Sequence, residues 1–223
     1  MESSIKHCII NVGIGAWYPT GSKRLERSLI YHGYTGDILI WNEWPNDNYD
    51  KSCPYNAKAA AFEEAIKLGY THIGWLDCSC WAVSDPNKFL NIINNDGYFL
   101  GENTGYNCAQ VCNDKCLEYF GVSRDAAEKI PDTLTGCFGV NMGNPVGKFF
   151  IEDWIQAAKD GIFVSSRFHN NESQDPRFLF SRQDQMCASI LAHRHGMKLG
   201  DFFEIADYGA TGKENVIFAL RGL

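Results

Sequence analysis

The chain has 223 residues, of which 45% are hydrophobic and 21% charged, and its formal net charge at pH 7 is −7. This length predicts one large domain with a full hydrophobic core. The acidic balance and the lack of a basic run argue against unspecific nucleic-acid binding, because the phosphates would not be neutralised.

Apolar runs alternate with helical patterns through the first half of the chain. The predicted strands cover residues 7–15, 37–43, 72–81 and 97–103. The predicted helices cover residues 21–34, 56–70 and 85–97, and the first two end at Gly33 and Gly69. The strand over 72–81 is apolar until it reaches a single carboxylate, Asp77.

The alternation continues in the second half. Helices are predicted over 116–130, with a break near Gly121, and over 145–161 and 181–196. A strand is predicted over 133–142, a polar loop over 165–178, and a strand, a loop and a second strand within 201–220. The whole pattern predicts an α/β fold, with a mostly parallel central sheet flanked by helices.

The sequence predicts a cytoplasmic protein with free thiols. It begins without a secretory pattern, and no window approaches the ~18 uninterrupted apolar residues of a membrane helix. The nine cysteines are an odd number, and we expect most of them to be small buried residues. Cys108, Cys112 and Cys116 are spaced by four but lack the C-x2-C pairs of zinc sites, so zinc is not expected there.

Ligands of parallel α/β sheets bind beyond the carboxyl ends of the strands. That rule selects residues 13–18, Glu43 and residues 77–79 as candidate positions. The segment GIGAW lacks the third glycine of the dinucleotide fingerprint, and Pro19 predicts a loop after it. A P-loop motif and a serine-hydrolase elbow are both absent from the sequence.

Several motifs together resemble those of GT-A fold glycosyltransferases. In chain order they are the first strand and loop NVGIGAWYP, the helix with Lys58, the strand end WLDCS, the strand LTGCFGVN and the helix start RQDQMCAS. The sequence is similar to small viral and bacterial members of this family that have L-D-x-S in place of the D-x-D motif. The similarity spans nearly the whole chain, and the order of the motifs is more specific than any one of them.

The resemblance implies a function and a domain plan. The protein would transfer a sugar from a nucleoside-diphosphate sugar to a hydroxyl of a glycan or other acceptor, and nucleic acid is not expected as a partner. Residues 1–223 would form a single domain, with a nucleotide-sugar-binding half over about 1–100 and an acceptor-binding half over about 101–223.

The resemblance also implies a role for each site residue. Gly13, Tyr18 and Lys58 would hold the nucleotide, with Asp77 and Ser79 beside the donor. Asp77 would orient the donor or a Mn²⁺ or Mg²⁺ ion, while Gly136 and Trp81 would lie on the acceptor or sugar side. Asp184 would deprotonate the acceptor hydroxyl, and such a base supports direct displacement with inversion.

The sequence departs from the family pattern at Ser79, where the D-x-D motif has its second acid. A hydroxyl is a poorer ligand for a hard cation than a carboxylate. The departing diphosphate still requires a cation, which a metal ion or the side chains of Lys58, Arg24 or Lys23 could supply.

Simpler interpretations of the same residues stay open. Asp184 or Ser181 could cap the last helix. As a base, Asp184 would be weakened, because the helix start is expected to lower its pKa. Asp77 could bond to turn amides, Lys58 could be solvated, and the tryptophans could be core residues. Two other functions also stay open, namely a sugar-phosphate nucleotidyltransferase and a degenerate, non-catalytic carbohydrate-binding domain.

Overall fold

The computed structural model describes residues 5–164, 173–208 and 216–220. Its strands are β1 (His7–Val12), β2 (Asp37–Trp41), β3 (His72–Leu76), β4 (Cys80–Ala82), β5 (Tyr98–Asn107), β6 (Pro131–Asn141), β7 (Gly200–Asp201), β8 (Ala206–Tyr208) and β9 (Phe218–Leu220). Its helices are α1 (Tyr18–Tyr31), α2 (Asn56–Lys67), α3 (Asn87–Asp96), α4 (Cys108–Val111), α5 (Asp114–Phe120), α6 (Arg124–Ala127), α7 (Pro145–Lys159), α8 (Gln185–Arg194) and α9 (Phe202–Ile205).

The central sheet has the strand order β2-β1-β3-β6-β5-β7. The pairs β1–β2, β1–β3 and β5–β7 are parallel, whereas β6 runs antiparallel to both of its neighbours, β3 and β5. The predicted α/β fold with a mostly parallel sheet is therefore confirmed, and β6 is its antiparallel member.

Both faces of the central sheet are covered, as the continuous apolar runs of its strands require. Cys8 and Ile10 of β1 belong to one core, which includes α2, α7 and α8. Ile9, between them, belongs to a second core with side chains of α1 and α3. This alternation follows from the two-residue period of a strand and places helices on either side of the sheet.

A smaller sheet, in the order β4-β9-β8, lies beside the second core. The sequence predicted one strand over 72–81, but the chain leaves the central sheet after Leu76 and β4 pairs with β9 instead. That prediction was wrong because an apolar pattern indicates that a segment is buried. The pattern does not indicate which strand the segment pairs with.

Two further predicted boundaries need correction. The first helix begins at Tyr18, three residues before the predicted start, because Pro19 is compatible with a first helical turn. The tail over 201–220 contains the short helix α9 before β8, and its predicted loop lies partly in residues 209–215, outside the described residues. Residues 165–172 of the predicted polar loop also lie outside them.

The predicted break near Gly121 is confirmed, since Gly121 ends α5 with a φ of 65°.

All nine cysteines are buried free thiols, and Cys112 separates α4 from α5. The sulfur atoms of Cys116 and Cys187 are 4.0 Å apart. None of the helices within the described ranges is long and apolar enough to cross a bilayer.

Candidate active site

Asp77 lies directly after β3, where the end of that strand meets the middle of β6. Its backbone N–H donates to the carbonyl of Gly136 at 2.9 Å. The pairing of β5 with β6 jumps between Leu100 and Gly101, which leaves residues 135–137 of β6 without a partner in β5. This bulge allows that part of β6 to turn toward Asp77.

Lys58 connects the two carboxylates that the sequence analysis singled out. Its ammonium lies 3.2 Å from Oδ1 of Asp77 and 3.3 Å from Oδ2 of Asp184, and it donates to the carbonyl of Thr135 at 3.1 Å. The side chain of Lys58 is only 9% exposed. The structure therefore brings together residues from α2, β3, β6 and the start of α8, which we call the acid–lysine cluster: Lys58, Asp77, Thr135 and Asp184.

The charges within this cluster depend on one another. Burial disfavours the ammonium of Lys58, but Asp184 and Asp77 outweigh that effect and raise its pKa above the usual value. Lys58 is therefore charged at neutral pH. It lies in the first turn of α2, where the helix dipole disfavours a cation, so the two acids are what stabilise it there.

Asp184 precedes α8 at the N-cap position, but its side chain makes no capping hydrogen bond. Its Oδ2 accepts instead from the hydroxyl of Thr135 at 2.7 Å, and its backbone carbonyl accepts from the indole of Trp154. The capping interpretation is therefore wrong for Asp184. The preceding residue, Gln183, has a φ of 43°, and such a strained backbone is often found at functional sites.

The expected lowering of the Asp184 pKa is also wrong. Burial raises this pKa, against the opposing effects of the Lys58 charge and the Thr135 hydrogen bond. The side chain is 1% exposed, so desolvation of the carboxylate outweighs the dipole of the helix start.

Asp77 is the open carboxylate of the cluster, with 35% of its side chain exposed. Its Oδ1 accepts from the indole N–H of Trp75 at 2.7 Å and faces Lys58. A Cβ atom on Gly136 would lie 3.3 Å from Oδ2, so the glycine keeps space beside that oxygen. The structure thus fixes one oxygen of Asp77 and leaves the other beside an open position.

Gly13 lies in the loop after β1 and is required by close packing. A Cβ atom at this position would lie 2.1 Å from the hydroxyl oxygen of Ser22. That hydroxyl donates to Oδ1 of Asn11 at 2.6 Å, and Asn11 donates to the carbonyl of Leu76 at 2.7 Å. These bonds join α1 and β1 to the end of β3, while Tyr18 begins α1 with 57% exposure.

Arg24 of α1 supports the turn that contains Ser79. Its guanidinium donates to the carbonyls of Ser79 at 2.9 Å and Cys78 at 3.3 Å. It also lies 4.4 Å from the centre of the Trp81 ring, so one face of that ring is covered by Arg24. Lys23, the neighbouring cation, is exposed on the outer surface of α1.

The sequence analysis missed Thr135 and the indole of Trp75 as members of the site. Thr135 immediately precedes Gly136, so its proximity to the predicted sugar-side position was the available signal. Trp75 lies on β3 two residues before Asp77, so the two-residue period of a strand directs both side chains to the same side of the chain. Trp75 is otherwise buried, as the core interpretation expected.

The donor atoms of the site fit a divalent ion that is held together with a nucleotide. Asp77 provides a hard oxygen beside the open position at Gly136, and Mg²⁺ is often held by one or two carboxylates plus substrate phosphates. Within the described residues, no three histidine, cysteine, aspartate or glutamate side chains gather as a protein-only metal site would require.

No family model matches the sequence, and no curated protein matches it. Among solved structures, the chain is similar to a glycosyltransferase involved in the glycosylation of the major capsid of PBCV-1. That match has a TM-score of 0.57 and 9% identity, and it covers 96% of this chain and 94% of the other.

Two other solved glycosyltransferases share the fold. Mouse xyloside xylosyltransferase 1, in its apo form, matches with a TM-score of 0.50 and 10% identity over 94% of this chain and 90% of that chain. The bifunctional glycosyltransferase WbbM matches with a TM-score of 0.54 and 10% identity; 99% of this chain is covered but only 46% of WbbM. At these identities the similarity establishes the fold, and the three neighbours are all glycosyltransferases.

Proposed function

We propose that this protein transfers a sugar from a nucleoside-diphosphate sugar to an acceptor hydroxyl. The observation that supports the proposal is the acid–lysine cluster at the carboxyl end of β3, on a fold shared with solved glycosyltransferases. Ligands of such sheets bind at this edge, and Asp77 is partly exposed there.

The donor would bind beside Asp77. With both acids ionised, Lys58, Asp77 and Asp184 have a net charge of −1, which favours a cation or sugar hydroxyls over a bare diphosphate. A bound Mn²⁺ or Mg²⁺ would neutralise the charge that develops on the departing diphosphate. Asp77 would hold that ion through Oδ2, the oxygen beside Gly136, and the hydroxyl of Ser79 would be a weaker ligand.

The remaining residues would position the donor and its leaving group. Trp75 and Lys58 fix the carboxylate of Asp77, so its free oxygen has a defined direction. Gly13 and Tyr18 would contact the nucleotide at the neighbouring loop, and Trp81 and Gly136 would contact the sugar or acceptor. Such fixed groups lower the barrier by reducing the reorganisation that the reaction requires.

In the transfer, the bond between the anomeric carbon and the diphosphate oxygen breaks, and the acceptor oxygen forms a bond to the same carbon. The acceptor proton moves to a base, for which we propose Asp184, and displacement then inverts the anomeric centre. The raised pKa of Asp184 suits this role, because a carboxylate of higher pKa is a stronger base. Because the side chain is 1% exposed, the acceptor can contact it only if the site opens around Thr135.

Asp184 has a second role that does not require opening, as the buried counter-charge of Lys58. The variant Asp184→Asn separates the two roles. Loss of transfer with unchanged donor affinity supports the base role, whereas a matching loss of donor affinity supports the counter-charge role alone. Asp132→Asn is a matched control, since Asp132 is also a fully buried acid of raised pKa but bonds to Ser189 and Asn103.

The direct test is a thermal-shift panel of UDP-, GDP-, dTDP- and CDP-linked sugars with and without Mn²⁺, followed by assay of the stabilising donor with hydroxyl acceptors. A ligand that binds the native state raises its melting temperature. Binding without transfer or donor hydrolysis would contradict the proposal and favour a non-catalytic domain. Release of pyrophosphate from a nucleoside triphosphate and a sugar phosphate would favour a nucleotidyltransferase.

A further inference from the structure

The outer surface of α1 combines basic and large apolar side chains. Leu25 and Leu29 are fully buried on the inner side of the helix. On the outer side, Lys23 and Arg27 are exposed, and Tyr31 follows Arg27 by four residues on the same face. The outer stripe is therefore not a purely polar solvated surface.

Basic residues dominate a shallow concavity along this stripe. Its lining includes Thr20, Lys23, Arg24, Arg27, Tyr31 and His32, and it contains no carboxylate. The whole chain has a net charge of −7, so this surface opposes the sign of the protein as a whole. A local cationic surface of this kind attracts anionic partners.

Large apolar side chains are exposed at both ends of the stripe. Tyr31 is 84% exposed and Ile30 is 64% exposed, while Trp17, at the start of α1, is 74% exposed. Trp17 and Tyr31 are 14 residues apart, which corresponds to about 21 Å along a helix. Both lie seven residues from Arg24, on one helix face.

We propose that this surface docks the protein onto an anionic phospholipid bilayer. Basic residues on a helix face attract acidic headgroups, and exposed tryptophan and tyrosine rings favour the interfacial region of a bilayer. A free phosphate group would use the basic residues but would leave the apolar ends exposed, so the combination favours a lipid surface. The proposal does not depend on the sugar-transfer function.

The experiment is co-sedimentation of the full chain with vesicles of phosphatidylcholine alone or with added phosphatidylglycerol. We expect binding to the anionic vesicles, weaker binding as salt is raised, and little binding to the neutral ones. The double variant K23Q/R27Q should lower the partition coefficient by about 25-fold, about fivefold for each charge. The double variant K129Q/K198Q, which removes two exposed lysines outside α1, should bind like the unaltered protein.

A second pair of variants tests the apolar contribution. Tyr31→Ser should weaken vesicle binding, whereas Phe149→Ser, at an exposed position on α7, should not. Melting curves verify that each variant is folded. Three results would overturn the proposal. The protein could bind neutral vesicles as well as anionic ones, or K23Q/R27Q and K129Q/K198Q could weaken vesicle binding equally. Inorganic phosphate could also displace the protein from anionic vesicles at unchanged ionic strength.

Discussion

The ammonium of Lys58 lies 3.3 Å from the carboxylate of Asp184, and only 1% of the Asp184 side chain is exposed. Two opposite charges are thus held away from solvent, each serving as the other's partner. Burying an isolated charge costs far more than burying a paired one, so neither residue can lose its partner without consequence.

Removal of the Lys58 charge should strongly destabilise the fold. Lys58→Met leaves Asp184 buried without its cation, and we expect the free energy of unfolding to fall by about 3–5 kcal/mol in urea denaturation. The double variant K58M/D184N should recover most of that loss. Lys67→Met is the control, since Lys67 forms exposed pairs with Glu63 and Glu64 and should lose at most about 1 kcal/mol. Equal losses in the two single variants would contradict this prediction.

The raised pKa of Asp184 gives a pH dependence of definite sign. The folded state binds the Asp184 proton more tightly than the unfolded state, whose pKa is about 3.9. The stability that this tighter proton binding gives the folded state is fully present below about pH 4. It is lost as pH rises through the raised pKa of Asp184. The stability of Asp184→Asn relative to the unaltered protein should therefore increase as pH rises above about 4, as measured by urea denaturation at each pH.

Asp47 provides a control of opposite sign for that experiment. It is exposed, and its hydrogen bond to Lys51 lowers its pKa. The stability that this interaction gives the folded state is therefore present at pH values above the unfolded-state pKa of Asp47. It is lost as pH falls through the lowered pKa of the folded state. The same direction of change in Asp47→Asn and Asp184→Asn would count against the assignment of burial as the cause.

A second acid in the Asp77 turn should create metal affinity in the absence of a nucleotide. Ser79→Asp adds a carboxylate two residues after Asp77, and carboxylates are stronger ligands for hard cations than hydroxyls. We expect Mn²⁺ binding by titration calorimetry to be at least about tenfold tighter in this variant. The unaltered protein should require a nucleotide to bind Mn²⁺ well, and equally tight binding by the two proteins alone would refute the prediction.

A methyl group at position 136 should impair donor use more than folding. In Gly136→Ala the added carbon would lie 3.3 Å from Oδ2 of Asp77, close enough to displace it by a few tenths of an ångström. Small displacements of catalytic groups lower rates by up to about 100-fold, so we expect kcat/KM to fall while the melting temperature changes little. Unchanged kcat/KM would show that the open side of Asp77 is not used.

The sequence predicted which residues form the site better than it predicted the contacts between them. Asp77 could be selected because ligands bind beyond the strand ends of an α/β sheet, whereas Lys58 and Asp184 were selected through the resemblance to GT-A fold glycosyltransferases. Their actual arrangement depends on burial, which sequence position does not report. Asp184 has the position of a cap, yet its carboxylate bonds to Thr135, and its pKa rises where the helix dipole alone would lower it.

Local patterns also predicted most strands and helices of the central layers. They could not predict that β6 runs antiparallel, because both orientations have the same apolar pattern. They could not predict the bulge at 135–137 either, since apolar periodicity does not report the register in which β5 pairs with β6. The bulge nevertheless determines which backbone groups face Lys58 and Asp77.

The pairing of β4 with β9 has a consequence for how the protein is made. Cys80 pairs with Leu220, so the strand that follows the Asp77 turn has its partner 140 residues later in the chain. During synthesis, the turn emerges from the ribosome long before the strand that anchors it. The donor side of the site should therefore become ordered late, after the central sheet has formed, and contacts between such distant residues slow folding.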